Sequence, residues 1–285
     1  MHPILLGMVA ALSWGTLDLL AGLTSRKMGY VQTTAGVTLA GFLLLTIALM
    51  IFGPFPSFGS TTIWIAMAAG AGIALATMCL FAALASGPIS LAIPVAMSYP
   101  ASTVVVFAAL GIYPTLHQLI AVLAILGGAG LVAVTEPTET HATAPGRMRR
   151  TITFALLAHA IFLFAVLAGQ NAAEEIGALQ SVWVSRIGGS VLILPVLFFG
   201  AKAKQILLGA LPLLTLMGLL DILGTSALFA AGRTEQPELA TVCSAAAGAI
   251  TVILAAVFLK EKVRLGRWAG IALVFSGVSA LSLAK

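Results

Sequence analysis

The chain has 285 residues, 60% of them hydrophobic and 8% charged, with 14 basic and 9 acidic side chains and a formal net charge of +5. A soluble domain carries about 25% charged residues, and a mean hydropathy of +1.12 leaves too little polar surface to face water. Disordered, collagen-like and nucleic-acid-binding classes are excluded, and the composition places the chain in a lipid bilayer.

A helix needs about 20 largely apolar residues to cross the hydrocarbon. Breaking the sequence at Gly/Pro clusters and charges predicts ten spans in chain order: 3–24, 31–52, 62–85, 88–110, 115–134, 151–169, 177–199, 206–231, 236–259 and 265–284. The first run has no basic segment ahead of it, so it is expected to stay as a span rather than be cleaved as a signal peptide. No segment shows the sustained polar–apolar alternation of a strand. The longest connection, 135–150 (TEPTETHATAPGRMRR), is polar with two prolines. It reads as a cytoplasmic linker between a five-helix half at 1–134 and a second at 151–285. The predicted fold class is an all-α integral membrane protein with ten transmembrane helices as two inverted five-helix repeats.

Charge and internal repetition carry the inversion. Arg26, Lys27, Arg147, Arg149, Arg150, Lys202, Lys204, Lys260, Lys262, Arg264 and Arg267 fall in loops 1–2, 5–6, 7–8 and 9–10. Arg233 and Lys285 lie on the other side, and Arg186 lies inside a span. Positive-inside bias then predicts cytoplasmic odd-numbered loops and both termini outside, in a plasma (bacterial inner) membrane. Leu20-Ala21-Gly22 matches Leu167-Ala168-Gly169, Leu91-Ala92 matches Leu239-Ala240, and Gly128 matches Gly277, at offsets of 147 to 149 residues. Five spans per half is an odd number, so the second copy enters the membrane from the opposite side. Loop 1–2 carries Arg26-Lys27 where its counterpart, loop 6–7, carries Glu174-Glu175. Inverted repeats are the architecture of many secondary transporters, with the substrate site near the midplane.

Three passages carry a more specific resemblance: Ser13-Trp14-Gly15 in span 1, FAALASGPISLAIPVAMSYPASTVVVFAALG at 81–111, and LKEKVRLGRWAGIALVFSGVSAL at 259–281. They resemble the ten-span EamA group of the drug/metabolite transporter superfamily over nearly the full length. Glu261, Trp268, Gly270 and Gly277 fall on that group's C-terminal pattern, and Arg186 falls where it often has an arginine. Ile112 stands at the first-half counterpart of Glu261, a departure from the pattern. The resemblance implies transport of amino acids, drugs, sugars or other metabolites, without naming one.

Ionisable side chains in a span cost about 2.5–3.5 kcal/mol at its centre on insertion scales, so each needs a partner or a task. At 1.5 Å per residue, Arg186 in span 7 and Asp221 in span 8 lie roughly 14 and 15 Å below the outer surface. They are predicted to pair across consecutive antiparallel helices, either to bind substrate and protons or to fix helix register. Asp18 and His159, roughly 9 and 12 Å from the inner surface, form a second predicted pair. That pair is either a proton relay or two separate interhelical hydrogen-bonding groups. Trp14, one turn before Asp18, is a candidate wall of the pathway. Tyr99, between Pro94 and Pro100, is a candidate cap on the substrate, and Thr225, one turn after Asp221, extends its polar face. Glu261 is expected to pair locally with its basic neighbours.

No HExxH, GxSxG or P-loop occurs, His2, His117, His141 and His159 are scattered, and Cys79 and Cys243 sit in apolar runs. No enzyme, cofactor, metal or disulfide is predicted. The expected function is secondary transport, foremost proton-coupled export of amino acids or related solutes. A facilitator or uptake carrier for sugars or other neutral solutes is the alternative, and a non-transporting membrane protein a remote one. Expected partners are a small-molecule substrate, the bilayer and protons, with no nucleic acid and with a homo-oligomer left open.

Overall fold

The computed structural model describes residues 2–57, 59–87, 89–96, 99–111, 113–135, 145–198, 209–258 and 264–283. They form twelve α-helices and, among the described residues, no strand. In chain order these are α1 (Pro3–Met28), α2 (Tyr30–Phe52), α3 (Thr61–Ser86), α4 (Ile89–Ala96), α5 (Tyr99–Ala109) and α6 (Leu116–Val134). The second half has α7 (Pro145–Ile176), α8 (Ala178–Phe198), α9 (Leu211–Ala231), α10 (Pro237–Ser244), α11 (Ala246–Phe258) and α12 (Leu265–Leu283).

The all-helical class follows from the solvent. Hydrocarbon offers no hydrogen bonds, so backbone groups must be satisfied within each segment. The outward faces are apolar: Leu5, Leu43, Met50, Trp64, Leu123, Phe164 and Leu216 are all exposed. The buried set includes Asp18, Thr38, Gln170, Ser185, Arg186 and Asp221. The interior is otherwise largely apolar, so what departs from a water-soluble bundle is the apolar outer surface together with these buried polar groups. Among the described residues, six helical segments are long and apolar enough to cross a membrane: Pro3–Met28, Tyr30–Ile51, Thr61–Ser86, Gly146–Ile176, Leu211–Ala231 and, taking α10 and α11 together, Pro237–Phe258. Leu116–Gly128 and Leu265–Ala280 are shorter apolar helices.

Several boundaries differ from the sequence-based expectation. α7 begins at Pro145, so the last six residues of the expected 135–150 linker are helical. Proline suits a first helical turn because its missing N–H has no partner there, and Arg147–Arg150 continue the helix beyond the apolar run. Expected span 4 is helical at Ile89–Ala96 and Tyr99–Ala109, with residues 97 and 98 outside the described residues. Expected span 9 is α10 and α11, meeting at Ala245. Ser98, Ile112, His141, Lys202, Lys204, Lys260, Glu261, Lys262 and Lys285 lie outside the described residues.

Packing pairs off the two halves. α1 packs along α9 as α7 packs along α3, and α2 lies on α9 as α8 lies on α3. α2 against α8 and α6 against α12 pair repeat-equivalent helices. Every major contact between halves therefore has its exchanged partner, as a pseudo-twofold axis requires. The junctions repeat as well. Gly29 and Gly177, 148 residues apart, have φ of +94° and +90° and separate α1 from α2 and α7 from α8. Glycine meets positive φ without a Cβ clash. In each junction the glutamine three residues on, Gln32 or Gln180, folds back over the glycine.

The crossings at α3–α8 and α2–α9 are backbone against backbone. A Cβ on Gly70 would fall on the Ser185 main chain, one on Gly188 would fall on the Met67 carbonyl, and one on Gly218 would meet Gly41 N at 2.8 Å. Lipid-exposed helices associate through such small-residue contacts because apolar side chains gain nothing by leaving hydrocarbon.

We predict that Gly70→Val or Gly188→Val lowers stability by about 1–3 kcal/mol or more through overpacking, read as earlier thermal loss of the monodisperse peak in detergent. Gly59→Ala, with nothing within 4 Å of its Cβ, is expected to match wild type.

Candidate functional site

The two predicted charges at matched depth meet. Arg186 on α8 and Asp221 on α9 are 3% and 7% exposed, and Arg186 Nη1 lies 2.7 Å from Asp221 Oδ2. Arg186 Nη2 donates to Thr225 Oγ1 at 3.0 Å, and the Thr225 hydroxyl donates onward to Asp221 Oδ1 at 3.4 Å. Thr225 sits one turn after Asp221, so the two share a helix face. Two of the guanidinium's nitrogens are thus engaged, and the Arg186–Asp221–Thr225 unit is electrically neutral.

Beside this unit lies a cavity of about 40 Å³ between α1, α3, α7 and α9, with Tyr99 of α5 at one side. A water occupies about 10–15 Å³ on this measure, so the space has room for roughly three waters. Fourteen residues line it, and twelve of them form six pairs separated by 148 residues. The pairs are Trp14/Phe162, Asp18/Val166, Ile73/Asp221, Thr77/Thr225, Leu80/Leu228 and Phe81/Phe229. The pseudo-twofold axis passes through the cavity, which is symmetric in position and asymmetric in charge. Both acids stand on the α1–α9 wall, and their counterparts on the α3–α7 wall, Val166 and Ile73, are aliphatic.

Asp18 is 2% exposed, and its Oδ2 has no hydrogen-bond partner among the described residues. Trp14 lies against Gly224, where a Cβ would meet the indole Nε1 at 2.6 Å. Tyr99 is 1% exposed, with its ring centroid 5.8 Å from that of Phe162 and tilted by 34°. Its hydroxyl faces Ser244 without completing a hydrogen bond of normal geometry. Trp14, Asp18, Tyr99, Asp221 and Thr225 therefore come together at one cavity, with Arg186 directly behind two of them.

His159 does not join them, and the expected Asp18–His159 pair is corrected. His159 Nε2 is 3.1 Å from Ser102 Oγ on α5, and the ring also hydrogen-bonds the Val95 backbone on α4. Sequence depth fixes a residue's height in the bundle but not the direction in which its helix faces. α7 turns His159 toward α4 and α5, while α1 packs chiefly along α9, α10 and α11. Sequence reasoning missed Phe81, Phe162, Thr77 and Phe229. The 148-residue offset was the available signal, since Phe162 stands at that distance from Trp14.

An apolar outer surface over a bundle that buries charged groups, with six segments among the described residues long and apolar enough to span a membrane, defines a multi-pass integral membrane protein. The chain belongs to the EamA-like transporter family, whose model matches residues 1–134 and again 149–283. No curated protein matches it. A solved structure described only as the crystal structure of a protein is similar over 99% of this chain and 96% of its own. It superposes with a TM-score of 0.71 at 18% identity, a likeness of fold. The family's members are transporters of small solutes.

Removing one partner of a buried ion pair leaves the other charge uncompensated, at a cost of about 3–5 kcal/mol. Asp221→Ala is accordingly expected to destabilise the protein by that amount in a reversible unfolding assay. Arg186→Met with Asp221→Leu is expected to recover most of the loss.

Proposed function

We propose that the protein is a secondary transporter that exports small amine-bearing metabolites, amino acids or related solutes, in exchange for protons. Substrate binds at the cavity on the pseudo-twofold axis. The cavity opens to each side in turn as the half at 1–134 rocks against the half at 151–285, with 135–150 joining them. The observation that carries this reading is Asp18, a buried carboxylate whose Oδ2 has no partner among the described residues, lining a narrow cavity between the two halves. A buried carboxylate without a counter-charge is costly, so Asp18 takes up a proton or a cationic group when it is buried in this way. Asp221 already has its cation in Arg186.

Ten spans with both termini outside the cytoplasm, in a bacterial inner membrane, complete the reading. Its support lies in how the helix ends associate. Arg26 Nη2 donates to the Gly87 carbonyl at 3.4 Å, and Arg267 Nε to the Thr135 carbonyl at 2.9 Å. These contacts each join two loops expected on the basic, cytoplasmic side. At the opposite ends, Gln180 Nε2 donates to the Pro54 carbonyl at 3.3 Å, Gln118 Nε2 to Gln236 Oε1 at 3.2 Å, and the Thr62 hydroxyl to Glu175. Glu174, Glu175, Glu235 and Glu238 gather on that side, as positive-inside bias allows.

Counterflow in proteoliposomes with a labelled amino-acid panel and an imposed pH gradient tests the proposal. Saturable flux that responds to the gradient is expected, and Asp18→Asn is expected to lose the response. Gradient-insensitive flux in the wild type would contradict proton coupling and make the protein a facilitator.

A further inference from the structure

Resting on the transport part of the proposed reading and narrowing its substrates to amines without a free carboxylate, we infer that the central cavity selects amines carrying a net positive charge and a flat apolar body, and discriminates against zwitterions of the same shape, amino acids included. Three observations combine. The first is charge. With Asp18, Asp221 and Arg186 all ionised, the site sums to one net negative charge. Asp18 and Asp221 line the cavity, while Arg186 points two nitrogens at Asp221 and Thr225 from behind. A monocation neutralises that remaining charge. A zwitterion brings a carboxylate into a space where the described lining offers two acids and no free cation.

The second observation is where the charge sits. Asp18 and Asp221 share the α1–α9 wall, and the repeat-related positions opposite are Val166 and Ile73. A ligand that satisfies both walls is polar at one end and apolar at the other. The third is the rest of the lining. Trp14, Phe81, Tyr99 and Phe162 surround the space, and aromatic faces attract an ammonium group and also pack against a planar ring. The positional symmetry of the cavity makes the polarity of its two walls the more decisive feature, because shape alone would accept the ligand in either orientation.

The full-length protein, purified and reconstituted, is offered three probes of nearly one shape: phenylalanine, phenylalaninamide and 2-phenylethylamine. The amide keeps the size of the amino acid while removing its negative charge. At a pH where both amines are protonated, phenylalaninamide and 2-phenylethylamine are expected to show half-saturation at least about tenfold lower than phenylalanine, a discrimination built on the unmatched carboxylate. Asp18→Asn is expected to erase most of that difference. Where Asp18→Asn fails to fold, the wild-type comparison still decides. Phenylalanine equal to or better than its amide would overturn the inference and leave the transport proposal standing. The same holds if other amino acids move while both amines fail. Silence across amines, amino acids and neutral solutes alike would overturn both.

Discussion

Hydrocarbon as the solvent is the constraint on which everything else in this molecule depends. With no water to drive their burial, apolar side chains cover the outside of the bundle as well as filling much of its interior. Cohesion then falls to close backbone contacts and to hydrogen bonds within the bundle. The glycines at the α3–α8 and α2–α9 crossings supply the first, and their repeat relationship makes the two crossings alike. Buried hydroxyls, Gln170 and the Arg186–Asp221–Thr225 unit supply the second. Gln170 shows the pattern on a smaller scale: its amide donates to the Leu228 carbonyl at 3.1 Å and to Thr241 Oγ1 at 3.3 Å, tying three helices together.

The two halves build a symmetric scaffold and then break its symmetry with charge. Trp14 and Phe162, Thr77 and Thr225, and Phe81 and Phe229 are repeat counterparts that line the same cavity. None of the ionisable groups is matched: 148 residues away from Asp18, Arg186 and Asp221 stand Val166, Thr38 and Ile73. A scaffold with equivalent halves suits two conformations open to opposite sides, since each is close to the other with the halves exchanged. The unequal charges give the cavity a polar wall and an apolar wall. They also set the acids apart: Asp221 pairs with Arg186, while Asp18 Oδ2 has no partner among the described residues.

Much of this was legible in the residues. Composition gave the membrane class, and the scarcity of charges in the spans made each one conspicuous. Arg186 and Asp221 met as their depths required because consecutive antiparallel helices leave little freedom in which neighbours they face. Asp18 and His159 also lie at similar expected heights, yet they belong to helices whose facing depends on the whole bundle, and His159 turned to Ser102 and Val95. The aromatic lining was hidden for a different reason. A phenylalanine in an apolar run carries no periodic or polar signal, and offsets scattered between 147 and 149 obscured the constant spacing that pairs Phe162 with Trp14. The helical start at Pro145 escaped because its first turn is basic and polar, a composition shared by loops.

The central claim is that Asp18 holds either a proton or a cationic ligand within the cavity, and never both. Proton release on ligand binding tests this most directly. Purified protein in weakly buffered detergent solution is saturated with 2-phenylethylamine while the pH of the medium is followed. The account predicts release approaching one proton per chain at pH values where the empty site is protonated, and none from Asp18→Asn. Binding by the wild type without proton release, or undiminished release from Asp18→Asn, would contradict it.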